Sequence, residues 1–160
     1  DAIITVEYED EPVTGELTVE KRGEILEGYK GGLFADSEEK EFVYKEGCLA
    51  GAKFEVYAAE DIYTADMQTD KDGSRTKYYT KGELVETLIT GEDGKASISG
   101  LPLGQYRVVE TEAPFGYVLN GEEQIVTFAY VDDKTPVIYE TATFVNERQK
   151  IDMSIIVVIK

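Results

Sequence analysis

The chain has 160 residues and a formal net charge of −17, because 33 acidic side chains stand against 16 basic ones. A negative field of this size repels phosphate backbones and anionic lipids, which excludes nucleic acids and membrane surfaces as partners. Histidine is absent and Cys48 is the single cysteine. The sequence therefore predicts no metal site, no cofactor and no intramolecular disulfide.

Along the chain, apolar and polar residues alternate in seven short segments, and turn-forming pairs such as Asp93-Gly94 lie between them. A period of two indicates strands that bury one face. Glu140 interrupts the alternation of the last segment, which leaves its register open. The pattern predicts an all-β fold, a seven-stranded β-sandwich of the immunoglobulin-like kind. The predicted strands lie within residues 15–21, 52–58, 85–89, 96–98, 106–108, 126–130 and 136–146.

Two polar stretches interrupt this series of strands. Residues 24–47 are predicted to be a long insertion between the first two core strands, with a helical turn at Asp36–Glu41. Residues 68–80 are predicted to form a second surface loop. Polar, glycine-containing segments of this kind usually connect elements across a protein surface.

The two ends differ from the body of the chain. Residues 1–14 are predicted to be an N-terminal junction strand or linker, residues 15–147 the sandwich module, and residues 148–160 a junction segment toward a following module. The apolar run Ile155–Ile159 is too short to cross a bilayer. We expect this run to pair with Ala2–Val6, with a neighbouring chain or with the next module of the parent, since unpaired apolar strands aggregate.

Three polar residues occupy positions that the alternation predicts to be buried. Lys21 follows Leu17 and Val19 in phase, Glu110 follows Tyr106 and Val108, and Asn146 follows Phe144. A buried charge is costly unless it is paired or neutralised. Since the three lie on separate strands and have complementary chemistry, they suggest one constellation.

Simpler interpretations of the same residues stay open at this point. Lys21 can extend its amine to water from the end of a strand, Glu110 can lie at a solvated edge, and Asn146 can cap a turn. A buried Lys21–Glu110 ion pair without further chemistry is an intermediate possibility.

Three stretches of the sequence resemble a known family. Residues 106–117, Tyr-Arg-Val-Val-Glu-Thr-Glu-Ala-Pro-Phe-Gly-Tyr, resemble the pilin E-box. Residues 49–57 resemble the second-strand signature of Cna protein B-type (SpaA-like, prealbumin-like) domains of Gram-positive surface and pilin proteins, and residues 94–106 resemble that family's approach to the E-box. The resemblance extends over residues 15–147 and implies a prealbumin-like β-sandwich.

The resemblance also implies a Lys–Asn isopeptide bond that forms without another enzyme. On this chain the cross-linked residues would be Lys21 and Asn146, and the acid that promotes the reaction would be Glu110. Burial favours the uncharged forms of amines and carboxylic acids, so the amine becomes nucleophilic and the acid can polarise the amide carbonyl and move protons.

Other candidate sites fit their chemistry poorly. Lys30, Lys45 and Lys53 are competing lysines, and Lys53 alternates away from its apolar neighbours. A calcium loop around Asp70 and Asp72 would need ligands at Gln68 and Tyr79, where the pattern fails. Cys48 has no histidine partner for catalysis.

The resemblance implies a structural stalk or pilus-type module, extracellular and attached to the Gram-positive cell wall through its parent protein. Its expected partners are neighbouring modules of that parent. An alternative is an adhesin module whose loops bind a host protein or glycan. A third class is a glycan-active enzyme with paired carboxylates, but 33 acidic residues make chance pairs common. We expect no enzymatic turnover beyond the single reaction of the chain with itself.

Overall fold

The computed structural model describes residues 11–30, 41–63, 76–119 and 121–148, and these residues form ten strands and no helix. No helix in this part of the chain is therefore long and apolar enough to cross a membrane. The all-β prediction is confirmed. The strands are β1 (Thr14–Lys30), β2 (Glu41–Cys48), β3 (Lys53–Ala58), β4 (Ile62–Tyr63), β5 (Lys77–Tyr79), β6 (Leu84–Ile89), β7 (Lys95–Leu101), β8 (Gly104–Glu112), β9 (Glu123–Phe128) and β10 (Val137–Asn146).

The strands of the described segments form two four-stranded sheets and a small two-stranded sheet. In the first sheet β10, β1 and β2 follow in order and β7 also pairs with β1, while the second sheet has the order β6-β3-β8-β9. The first and last strands, β1 and β10, are parallel neighbours, from Thr14 opposite Val137 to Gly23 opposite Asn146. The chain therefore enters and leaves the sandwich on adjacent strands.

The core lies between the two large sheets and takes alternate residues from each strand. Phe54 of β3 and Phe144 of β10 meet across it, with ring centroids 4.8 Å apart. Burying an aliphatic or aromatic side chain of this size contributes about 1.5–3 kcal/mol. The alternation that predicted the strands is thus the packing pattern of the core. Its fully buried members include Leu17, Val19, Phe54, Val56, Tyr106, Val108, Ala142 and Phe144.

The strand count differs from the seven predicted because three strands lack a strong alternation. The described part of the insertion at 24–47 forms β-structure: β1 continues to Lys30 and pairs antiparallel with β2. Two paired strands satisfy each other's backbone groups without one strongly apolar face. The predicted helical turn at Asp36–Glu41 falls outside the described residues except for Glu41, which begins β2.

Smaller differences concern the polar loop at 68–80 and the edge strand β6. Lys77–Tyr79 of that loop forms β5, which pairs with β4. On β6 the residue buried opposite Phe54 is Leu88, whereas Ile89 is 62% exposed. Of the two predicted junction segments, the structure describes residues 11–14 and 148.

Candidate functional site

Three strands bring Lys21, Glu110 and Asn146 together inside the sandwich. Lys21 lies on β1, Glu110 on β8 of the opposite sheet, and Asn146 ends β10. Their residues are 0%, 3% and 2% exposed, so all three are withdrawn from water. Each is in phase with the apolar residues of its own strand, which is why the strand geometry turns it inward.

The carboxyl group of Glu110 contacts both of the other side chains. Lys21 Nζ donates a hydrogen bond to Glu110 Oε2 at 2.5 Å, and Asn146 Nδ2 donates to Glu110 Oε1 at 2.7 Å. Among the buried side-chain nitrogen and oxygen atoms of the described residues, only Asn146 Oδ1 has no hydrogen-bond partner. The acid therefore lies between an amine and an amide, and the amide oxygen has an unused acceptor site.

The backbone of Lys21 is fixed by its neighbours on the opposite side of β1 from β10. Its N–H donates to the carbonyl oxygen of Gly94 at 2.7 Å, and its own carbonyl accepts from the N–H of Leu49 at 2.9 Å. Gly94 has φ +74°, and a Cβ there would lie 2.8 Å from the Lys21 carbonyl oxygen. Only glycine fits this close approach without strain, so the Asp93-Gly94 turn helps to position the lysine.

Apolar residues lie beside Lys21 and Glu110 on the neighbouring strands. Phe144 lies opposite Lys21 in the β1–β10 register, and Phe54 lies opposite Glu110 in the β3–β8 register. Burial lowers the pKa of Lys21 below its ordinary value of 10.5, and the hydrogen bond and charge of Glu110 only partly oppose this. A lysine with a lowered pKa more readily supplies the neutral, nucleophilic amine.

The structure excludes the solvated interpretations that the sequence left open. Lys21 does not reach water, Glu110 is not at a solvated edge, and Asn146 points into the core. The buried Lys21–Glu110 ion pair, the intermediate possibility, is present. Of the competing lysines, Lys45 is exposed and Lys53 is half-buried, while the side chain of Lys30 lies outside the description.

Other chemical sites find little support in the described residues. Within them, no group of three or more histidine, cysteine, aspartate or glutamate residues could hold a metal ion. Asp70 and Asp72 of the rejected calcium loop lie outside the description. Cys48 is half-buried, and its sulfur accepts a long contact of 3.6 Å from Arg22 Nη1.

Two residues beside the site received no role from the sequence. Phe54 packs on Phe144 next to the polar group, and its position in the alternation of β3 could have indicated this. Tyr117 donates its hydroxyl to the carbonyl oxygen of Glu24 at 2.6 Å, beyond Lys21 on β1. It follows Gly116, which has φ +86°. The Pro-Phe-Gly-Tyr turn was the available signal for a fixed tyrosine.

The family model for the SpaA prealbumin-like fold domain matches residues 40–143, more than half of the chain. The chain belongs to this family. The match includes Glu110 but ends before Asn146 and begins after Lys21, so the roles of those two residues depend on the geometry of the site. No curated protein sequence matches the chain.

Among solved structures, the SpaA-like domain is similar to pilins of Gram-positive bacteria. The minor pilin GBS52 of Streptococcus agalactiae is 24% identical, with a TM-score of 0.50, over 88% of this chain and 47% of that one. The major pilin SpaD of Corynebacterium diphtheriae is 23% identical, with a TM-score of 0.48, over 84% and 32%. The chain thus spans about half of the first pilin and a third of the second. At such identities the likeness concerns the fold alone. The match of the family model confirms the prealbumin-like prediction.

Proposed function

We propose that this SpaA-like domain is a structural stalk or pilus-type module of a Gram-positive surface protein, with Lys21 and Asn146 joined by an isopeptide bond. One observation carries the proposal: Lys21 Nζ and Asn146 Nδ2 are hydrogen-bonded to the two oxygens of the same buried carboxyl group, that of Glu110. Family membership and the shared fold of the S. agalactiae minor pilin support the structural role.

The cross-linking reaction needs only the three side chains. A proton passes from the Lys21 ammonium to Glu110 across their 2.5 Å contact, which leaves a neutral amine and a neutral acid. A turn of the Asn146 amide lets its Oδ1 accept the acid's hydrogen bond, and this bond polarises the carbonyl. Nζ attacks Cγ, the Cγ–Nδ2 bond breaks, and Glu110 relays the amine's proton to Nδ2. One ammonia leaves, and Glu110 ends as a neutral acid.

The buried charges give this reaction a favourable direction. Two ions withdrawn from water cost several kcal/mol each in desolvation, which their mutual attraction only partly offsets. The cross-linked product holds a neutral amide and a neutral acid in place of the ion pair between Lys21 and Glu110. The desolvation cost of the buried ion pair is therefore relieved when the neutral product forms, which favours the reaction.

A bond at this place would strengthen the domain in two ways. It joins two residues that lie 125 positions apart in the sequence. By analogy with disulfides, closing a loop of this length stabilises the domain by roughly 5 kcal/mol. It also joins β1 to β10, the parallel neighbours on which the chain enters and leaves the sandwich. Tension applied to the two ends then passes through the covalent bond instead of shearing the backbone ladder.

Single-molecule stretching tests this structural role. When the chain is pulled from residues 11 and 148, the cross-linked domain should release only the short segments outside Lys21 and Asn146. Asn146→Ala should lengthen on unfolding by roughly 400 Å, since extended residues span about 3.5 Å each. An unmodified domain that unfolds to the same length as Asn146→Ala would contradict the role.

We place the domain outside the cell, attached to the cell wall through its parent protein, with neighbouring modules as its partners. Support for a module contact comes from the end at which the chain leaves β10. Phe115 is fully exposed there, and Val118, Leu119 and Val145 are each about half exposed. The last three residues, with Glu147, line a recess of about 300 Å³. This recess is the proposed contact surface for the neighbouring module.

Limited proteolysis of the domain joined to its neighbouring module tests this contact. Val118→Asp should speed cleavage between the two modules, whereas Ile125→Asp, at an exposed position on β9, should not. Equally fast cleavage in the unmodified protein and in Val118→Asp would show that the recess makes no module contact.

A further inference from the structure

The loop that follows β8 reaches across to both strands that carry the cross-link. After Glu112 the chain turns, with the N–H of Tyr117 donating to the Pro114 carbonyl at 3.0 Å. The N–H of Val118 then donates to the carbonyl of Glu147 at 3.0 Å, and Tyr117 forms an antiparallel bridge with Arg148. The loop thereby holds the chain immediately after Asn146.

The same loop holds the chain immediately after Lys21. The Tyr117 hydroxyl donates to the Glu24 carbonyl oxygen at 2.6 Å, three residues beyond Lys21 on β1. Between the two attachments lies Gly23, where a Cβ would be 2.9 Å from the Asn146 carbonyl oxygen and 3.1 Å from Tyr117 Cε1. The tyrosine ring, β1 and β10 are therefore in close contact with no room for a side chain.

We propose that Tyr117 is a positioning residue for the cross-linking reaction, an inference that rests on the proposed function. The β1–β10 register ends at Gly23 and Asn146, and the ends of strands open more readily than their centres. Attack on Asn146 Cγ requires the amine and the amide to stay in near-contact geometry. Tyr117 supplies this restraint by bonding β1, while its neighbour Val118 bonds Glu147, the residue that follows β10. Since β8 ends two residues after Glu110, the loop also ties the acid's strand to both reacting strands.

Tyr117→Phe removes the hydroxyl and keeps the ring, and Tyr106→Phe is its matched control. Tyr106 also donates its hydroxyl to a backbone carbonyl at 2.6 Å, that of Pro102, near the start of β8 and away from Glu110. Each chain would be made by cell-free synthesis and quenched in acid at intervals, and the fraction lighter by one ammonia measured by mass spectrometry. We expect Tyr117→Phe to slow cross-linking about tenfold and Tyr106→Phe to stay within about twofold of the unmodified chain.

Stability measurements separate positioning from a general loss of folding. In an Asn146→Ala background, which cannot cross-link, denaturant titration gives the stability of both phenylalanine variants. Tyr117→Phe should slow the reaction far more than Tyr106→Phe even where Tyr106→Phe is the less stable of the two. Rates that simply follow stability, or an unchanged rate in Tyr117→Phe, would overturn the role of Tyr117 alone. An unmodified chain that never loses ammonia would overturn the proposed function as well.

Discussion

Lys21 and Arg22 are consecutive basic residues on β1, and they face opposite sides of the sheet. Lys21 is inside, fully buried, with Glu110. Arg22 is outside, where its Nε donates to Glu46 at 2.6 Å and its Nη1 to Glu20 at 3.0 Å. Both have acidic partners at hydrogen-bond distance, so distance alone does not distinguish them.

The difference lies in the surrounding medium. The Arg22 side chain is 31% exposed and that of Glu46 is 56% exposed, so water and salt screen the outer pair. Such pairs typically contribute 0.2–1 kcal/mol. The inner pair lacks this screening, and burial lowers the pKa of Lys21. One face of the strand thus carries a charge that water screens, and the other carries an amine whose charged form is disfavoured by burial.

Removing either residue of the proposed cross-link should have the largest effect on the inner face of β1. Lys21→Ala and Asn146→Ala should each keep the full sequence mass, and each should lose roughly 5 kcal/mol through the lost loop closure. For a domain of this size the melting temperature should fall by about 10–20 °C, as measured by calorimetry. Lys45→Ala, at an exposed position on β2, is the control. A melting temperature unchanged in Asn146→Ala would contradict the stabilising role.

Replacing the acid should leave both partners present but unreacted. Glu110→Gln keeps the size of the side chain but cannot relay protons, and Glu110→Ala removes the group altogether. We expect at least a hundredfold slower loss of ammonia in both variants, followed by intact mass over days. Glu112→Gln, at an exposed position on the same strand, should react like the unmodified chain. Rapid cross-linking in Glu110→Gln would show that the acid's proton is dispensable.

The pH dependence of cross-linking should separate the inner pair from an ordinary surface lysine. Because burial lowers the pKa of Lys21 below 10.5, the neutral amine forms at lower pH than in a free lysine. Below that lowered pKa the amine is charged, and the rate should fall about tenfold per pH unit. Above it the rate should no longer rise with pH, because the amine is already neutral.

A rate measured by quenched mass spectrometry across the range in which the chain stays folded should therefore stop rising with pH below pH 10.5. A rate that keeps rising up to pH 10.5, as expected for a solvated amine, would contradict the lowered pKa of Lys21.

The outer pair gives the smallest expected effect. Arg22→Ala removes the ion pairs of Arg22 with Glu20 and Glu46. The free energy of unfolding should fall by less than about 1 kcal/mol. Cross-linking should go to completion as in the unmodified chain, since Arg22 faces away from the core. Denaturant titration and intact mass provide the two readouts. Incomplete cross-linking in Arg22→Ala would mean that the reaction of Lys21 depends on the surface ion pairs of Arg22.

Period-two alternation predicted the sandwich and the buried positions of its polar residues. Tyr106, Val108 and Glu110 all lie inside, and so do Phe144 and Asn146. That pattern succeeds where one strand face is wholly buried, because burial then selects residue type at every second position.

Some features of the structure could not be predicted from the sequence, because burial does not select the residue type at the positions that form them. The β1–β2 ribbon is held by backbone pairing between half-exposed strands, so its apolar pattern is weak. The contact of Tyr117 with Glu24 joins residues 93 apart through a backbone carbonyl, which has no side-chain signature. Nor does one sequence reveal that β1 and β10 are adjacent, since their parallel pairing depends on the complete topology.

The central claim is that Lys21 and Asn146 become one covalent unit. The most direct test is the intact mass of the unmodified folded chain, followed by proteolysis and tandem mass spectrometry of the peptides. The chain should be lighter than its sequence by one ammonia, and a branched peptide should join Lys21 Nζ to the Asn146 side chain. The full sequence mass, with the two residues in separate linear peptides, would contradict the account and leave a buried Lys21–Glu110–Asn146 cluster without covalent chemistry.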